Sequence, residues 1–545
     1  MQNIPLCPGA SAVPSPFSLR RRTLLLSTAA LALASAVPGL SFAQDPVQGG
    51  SISINVGSEP TALLSATNTG SAISIGPKIV EGLLTYDLDF TPRPQLATEW
   101  SVSDDGLTYT FKLREGVKWH DGEDFDADDV VFSILALKQV HPRGRGTLAN
   151  VTEVKALGSH EVQVTLSDPA PYLLKALAAL ESPILPQHIF DGTDIPANPA
   201  LNAPIGTGPF VFKEWIRGSH VLLERNPNYW DQGKPHLDQI VIRFIADPAA
   251  AVAALESGEV QVSIGVVPLT DLERLKADSR FAFETRGNGY INSILRGLFN
   301  LDRKELQDLR VRQAIAHVID KQFIVDTVFL GHAKALTGPV NPAVAEFYTP
   351  DVETYSLDIA KAEALLDEAG YKRGADGIRF ALFVDPMIAV GPQRQIAEYV
   401  AQQLDKIGIK PTIRTGDFGS FVKRVYTDRD FDLAIEPMSN LFDPTVGIQR
   451  LYWSKNFKIG VPFSNGANYV SAETDRLLET AAQENDPAER VKLFGDFQRE
   501  VVKDLPVIDL VAPDAFTIYD KRIQNLVTTI DGNSANGADL FLSPA

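Results

Sequence analysis

Histidines, one dense run of acids and a single cysteine are the groups best able to do chemistry in this 545-residue chain. A metal centre needs such groups at ligand spacing. Yet the eight histidines (His120, His141, His160, His188, His220, His236, His317 and His332) include no pair four apart on a helix. The run Asp121-Gly122-Glu123-Asp124-Phe125-Asp126-Ala127-Asp128-Asp129 has the acid density of a calcium loop. It lacks that loop's order, in which glycine takes the sixth place after a D-x-D-x-D start. Its better reading is a solvated loop running into a capped helix. No G-x-S-x-G elbow, H-E-x-x-H helix, phosphate loop or complete G-x-G-x-x-G follows. Neither a cofactor nor a metal site is expected. Paired carboxylates of the glycosidase kind leave no local pattern, so an exported hydrolase stays open from the residues alone.

The first 43 residues have the order of an export signal. Arg20-Arg21-Arg22 is followed by an apolar run from Leu24 to Leu40 and by the small residues of Ser41-Phe42-Ala43. The run is short and rich in Ala, Ser and Thr, so cleavage after Ala43 fits better than a membrane span. Paired arginines before Thr23-Leu24-Leu25-Leu26 resemble a twin-arginine signal; the general secretory route is the other reading. The one cysteine, Cys7, falls before the apolar run. The mature chain is therefore expected to have no disulfide and no thiolate chemistry. Losing three arginines takes the formal charge from −18 to −21. That balance argues against nucleic acid and against docking on anionic lipid. A free periplasmic protein, with no direct membrane insertion after cleavage, is expected.

The elements that must position any site alternate between strand and helix. Leu107, Tyr109, Phe111 and Leu113 recur with period two, as do Val162, Val164 and Leu166, then Ile240, Ile242 and Phe244, and later Phe431, Leu433 and Ile435. Asp126 with Asp129 three residues on predicts a helix start, and Asp358 predicts another that ends at Gly370. Val311, Ala314, Ile315, Val318 and Ile319 form one apolar face at helical spacing. The class is α/β or α+β, and the length favours two or three domains.

Five blocks carry a resemblance to a known family. The longest runs from Leu96-Ala97-Thr98-Glu99-Trp100 through Asp104-Asp105-Gly106-Leu107-Thr108-Tyr109-Thr110-Phe111 and Trp119-His120-Asp121-Gly122 to Asp128-Asp129-Val130-Val131-Phe132-Ser133. The others are Gly206-Thr207-Gly208-Pro209-Phe210, Arg225-Asn226-Pro227-Asn228-Tyr229-Trp230, Val311-Arg312-Gln313-Ala314-Ile315 and Ala364-Leu365-Leu366-Asp367-Glu368-Ala369-Gly370-Tyr371. Together they resemble the family 5 extracytoplasmic solute-binding proteins of ABC importers, which include dipeptide, oligopeptide and nickel receptors. The resemblance implies a two-lobed periplasmic-binding-protein fold (type II, cluster C) with an additional α/β domain. By it, residues 44–77, 209–295 and 505–545 form lobe I, 78–208 the additional domain and 296–504 lobe II. It implies a monomeric receptor that closes on a small-molecule ligand and docks on ABC permease transmembrane subunits. A peptide-like solute or an opine-type sugar–amino acid conjugate is expected; a nickel complex or haem is the alternative.

The resemblance also implies site residues. In the peptide receptors an aspartate shortly before an Asp-Pro pair holds the ligand ammonium. Here the pair is Asp443-Pro444 and the matching position is Asn440, which offers no countercharge. Asp443 or Glu436 is then a candidate substitute. A helix-opening arginine meets the ligand carboxylate in the dipeptide receptors, and Arg394 stands in that place. Asn288, Tyr290 and Asn292 lie near the expected lobe junction and are candidates for hydrogen bonds to the ligand.

Overall fold

A computed structural model describes residues 46–67, 70–388 and 391–544. The export signal expected at 1–43 lies outside the described residues. Among the described residues, no helix is long and apolar enough to cross a membrane.

Three sheets organise the chain. A seven-stranded mixed sheet has the order Phe281–Glu284, Thr517–Asp520, Val262–Ile264, Ser51–Asn55, Gln239–Arg243, His220–Arg225 and Phe210–Ile216. A six-stranded mixed sheet has the order Ala333–Ala335, Val507–Pro513, Ser293–Phe299, Leu433–Ser439, Phe380–Pro386 and Ile409–Ile413. The third, a four-stranded antiparallel sheet of Ala97–Val102, Thr108–Leu113, Glu161–Leu166 and Val151–Gly158, is the core of the additional segment.

Period-two patterning decides where these strands bury their side chains. Tyr109, Phe111 and Leu113 are buried on one face of the four-stranded sheet, as are Val162, Val164 and Leu166. The strand at 433–439 begins two residues later than its pattern suggests and is buried on both faces. The six-stranded sheet separates two cores. Leu295, Leu433, Ile435 and Leu510 face one core with the helices Leu309–His317 and Pro392–Lys406. Ile294, Leu298, Ala434 and Met438 face the other with the helix Pro487–Asp504.

The segment expected to open lobe I at 505 begins instead with a strand of the six-stranded sheet. Val507–Pro513 pairs with both Ser293–Phe299 and Ala333–Ala335, and six of its seven residues are buried. A strand covered on both faces needs a central place, and the second sheet supplies it. The chain therefore passes between the sheets at 285–292 and at 514–516. The seven-stranded and four-stranded sheets share one continuous hydrophobic core, from Ile52 through Phe111 and Val162 to Leu540.

Helix ends follow local chemistry. Asp126 accepts from the Asp128 backbone N–H, while Asp129 returns a bond to the Asp126 N–H, opening the helix Ala127–Val140. The acid run is thus a turn and a cap. Asp358 caps Ile359–Glu368, and Gly370 beyond it takes φ +90.

Candidate functional site

The junction between the two sheets brings five of the six predicted residues together. Asn440 donates its backbone N–H to the Asn292 carbonyl at 3.0 Å, and Leu441 donates to Ile291 at 2.9 Å. The Asn288 carbonyl accepts from the N–H groups of Ile291 and Asn292, both at 3.1 Å. Asn292 (φ +51) and Leu441 (φ +56) both take the left-handed conformation. Asn tolerates it, but Leu does so at a cost of about 1 kcal/mol or more, so surrounding contacts must hold it there. Tyr290 supplies some of them. It is buried, packs its ring against Phe442 at a tilt of 41° and 4.7 Å between centroids, and donates its hydroxyl to the Lys175 carbonyl at 2.6 Å.

The side chains of Tyr290, Asn292, Asn440 and Asp443 already have work within the protein. Asn440 is 1% exposed; its amide nitrogen donates to the Pro339 carbonyl at 3.0 Å and its oxygen accepts from the Asn341 N–H. An amide suits both of these bonds. An aspartate accepts from a neighbouring N–H but cannot donate to a carbonyl. Asp443 is fully buried between the Arg490 guanidinium, at 2.6 and 2.8 Å, and the Thr445 N–H at 2.9 Å. Burial opposes its ionisation, yet Arg490 holds its carboxyl below the ordinary range.

Arg394 stands apart from this group. It lies in the first turn of Pro392–Lys406, about one-third exposed, and its Nε pairs with Glu398 at 2.6 Å, one helical turn on.

Gly447 controls the approach of the Asn440 segment. A Cβ there would lie 1.8 Å from the Asn440 carbonyl oxygen. Gly447→Ala is expected to destabilise by about 1–3 kcal/mol, the usual range for overpacking. Chemical denaturation of the variant checks this; an unchanged midpoint would mean that the backbone yields freely.

The charged groups beside the junction carry no local sequence pattern. Arg143, in the additional segment, forks onto Glu181 with Nε at 2.9 and 3.1 Å, and Thr147 adds a bond at 3.1 Å. Arg296 and Glu436, both 0% exposed, pair at 2.8 and 3.1 Å within the six-stranded sheet, and Tyr426 donates to the same carboxylate at 2.8 Å. Arg450 is different. Among the described residues it has no carboxylate partner; its Nη1 donates to the Phe463 carbonyl at 2.7 Å and its Nε has none. Desolvation, then the nearby charges of Arg143 and Arg296, draw its pKa down to about 10. The neighbouring Gln449 Oε1 is also buried without a partner. Among the described residues, no three His, Cys, Asp or Glu side chains stand together as a metal-binding group.

Comparison with known proteins agrees with this architecture. Residues 91–458 match the sequence model of the family described as "Bacterial extracellular solute-binding proteins, family 5 Middle". A glutathione-binding protein of Salmonella paratyphi A is 29% identical over 530 residues, covering 94% of this chain and 98% of its own. The oligopeptide-binding protein AppA of Bacillus subtilis, solved with a nonapeptide, superposes with a TM-score of 0.78 at 26% identity, over 92% of this chain and 100% of its own. NikZ of Campylobacter jejuni, solved with Ni(L-His), gives a TM-score of 0.77 at 26% identity, over 88% and 96%. The two-lobed fold expected from the sequence is therefore shown, and the relatives are binding proteins rather than enzymes. The chain belongs to the family 5 bacterial extracellular solute-binding proteins.

Proposed function

We propose that this receptor carries a small peptide-like acid of the glutathione class to the transmembrane subunits of an ABC permease. It does so as an exported periplasmic monomer. Similarity to a glutathione-binding protein along nearly the whole of both chains is the observation that carries this reading. The two chain crossings at 285–292 and 514–516 suit closure by rotation about a hinge. With both amide atoms of Asn440 engaged, the family's ammonium position is closed to a plain peptide N-terminus. That favours solutes recognised through their carboxylates, a class that includes opine-type conjugates. Arg394 remains a candidate contact at the rim, and releasing it from Glu398 would free its fork. The hydrolase alternative would need a nucleophile or a carboxylate pair poised for proton transfer, and the relatives named above are binding proteins.

The test is a thermal-shift titration with glutathione, followed by mass analysis of the recovered solute. Ligand at a hundred times its Kd should stabilise by about 2.7 kcal/mol, and the glutathione should be recovered intact. Turnover would reject the receptor reading; no shift with glutathione or with short peptides would reject the ligand class.

A further inference from the structure

We propose that Arg450 is the recognition point for a solute carboxylate, presented by its Nε–Nη2 edge between the additional domain and the second lobe. This inference rests on the receptor reading and adds to it a named cation and a direction of approach.

The first argument is a count of charges. The guanidinium groups of Arg143 and Arg296 both lie close enough to act on that of Arg450. Two of the three are ion-paired, Arg143 with Glu181 and Arg296 with Glu436, although Arg296 Nη1 is itself buried without a partner. The third makes no ion pair among the described residues: the acid acting on it, Glu436, is already bonded to Arg296 and Tyr426. An unpaired cation enclosed by protein is costly, and native proteins avoid it by pairing. Here the missing partner is one negative charge.

The second argument is the donor geometry. Phe463 occupies Nη1 and fixes how the planar head is turned. Nε is buried and has no partner, and Nη2 makes no hydrogen bond or ion pair among the described residues. Nε and Nη2 together form the side-on fork that accepts both oxygens of a carboxylate. Arg450 as a whole is only part-buried, although its guanidinium is desolvated.

The third argument concerns closure. Arg143 belongs to the additional segment, whereas Arg296 and Arg450 belong to the six-stranded lobe. Bringing the lobes together therefore brings like charges together. A carboxylate placed between them offsets that repulsion only in the closed form. A ligand shifts a conformational balance by such a difference in affinity, and by nothing else. The plainer alternative is that Arg450 merely braces the Phe463 loop.

The experiment compares glutathione with its diethyl ester, which lacks both carboxylates, on wild type, Arg450→Gln, Arg450→Lys and Arg394→Ala. Affinities are read by calorimetry, and each variant's melting is measured without ligand. Wild type is expected to lose at least ten-fold on esterification. Arg450→Gln should bind acid and ester alike, and Arg450→Lys should fall between. A structural brace would weaken both ligands equally and leave the discrimination intact. Unchanged discrimination in Arg450→Gln, or its loss in Arg394→Ala alone, overturns the inference. A parallel arm uses glutarate, a bare dicarboxylate. At matched ionic strength it should raise the melting temperature of wild type and not of Arg450→Gln. If glutathione fails to bind but the glutarate effect stands, the peptide-like reading falls and the carboxylate site survives. If neither ligand acts on wild type, the site falls too. Should Arg450→Gln not fold, Arg450→Lys decides, since it keeps the charge and loses the fork.

Discussion

Arg490→Met is expected to lower the stability of the second lobe by about 3–5 kcal/mol, the usual cost of removing one partner from a buried ion pair. Arg490 is 4% exposed, and its partner Asp443 is 0% exposed. Both Nη atoms reach the carboxylate, Nη2 also reaches the Thr445 hydroxyl at 2.8 Å, and Nε donates to the Ala481 carbonyl at 2.9 Å. Methionine fills much of the volume but leaves the carboxylate buried and alone. The double variant Asp443→Asn with Arg490→Met should recover part of the loss, because no buried charge remains.

The pH dependence has a definite sign. Asp443 is held below its unfolded value, so the pair's contribution is present above the ordinary carboxylate range. It is lost as pH falls through the folded value. In Arg490→Met the orphaned carboxyl should titrate higher, so the deficit should shrink on acidification. Urea midpoints at pH 7.5 and pH 5 measure both effects. Equal midpoints for wild type and variant at pH 7.5 would show that water reaches Asp443.

Much of the scaffold is legible in local patterns, because a strand face or a helix cap is decided by residues two to four apart. Tyr109, Phe111 and Leu113 reveal their face by alternation, and Asp126 with Asp129 reveals a capping box. The lobe boundary is less legible. Val507–Pro513 is apolar nearly throughout, and an unbroken apolar run says that a strand is covered on both faces without saying in which sheet. The site divides in the same way. Asn440 and Asp443 are candidates only through the family resemblance, by their place before and within an Asp-Pro pair. Their partners, however, are the 339–341 backbone and Arg490, which only the fold brings near. Arg143 and Arg450 lie in separate parts of the chain without a motif around either. No spacing rule connects them; the meeting of two bodies does.

Asp531→Asn is expected to stabilise the protein at pH 8 and to do so by less than half as much at pH 5. Asp531 lines a cavity of about 170 Å³ beside the seven-stranded sheet, together with Lys78, Thr85, Thr529 and Asn533. Burial pushes its pKa up to about 7, against one bond from the Thr85 hydroxyl at 2.9 Å. Lys78 does not act as its counter-ion, because that ammonium is spent on the carbonyls of Ser74, Asn533 and Ala535. Tyr86 and Tyr290 also face this charge, and both hydroxyls are pushed up, first by burial. An acid whose folded pKa lies above its unfolded value takes up a proton on folding, so stability falls as pH rises between the two. Above pH 7 the whole cost is present, at most about 4 kcal/mol at 1.36 kcal/mol per unit. A cavity this polar has room for water, which would reduce that figure. Asparagine keeps an oxygen for Thr85 and removes the charge. Melting temperatures of both proteins across pH 5 to 8 should therefore diverge by several degrees at the alkaline end. The opposite result, a less stable variant at pH 8, would mean that something in the cavity favours the ionised form. The unpartnered oxygens of Asp531, Asn533 and Thr529 would then be the place to look for a bound cation.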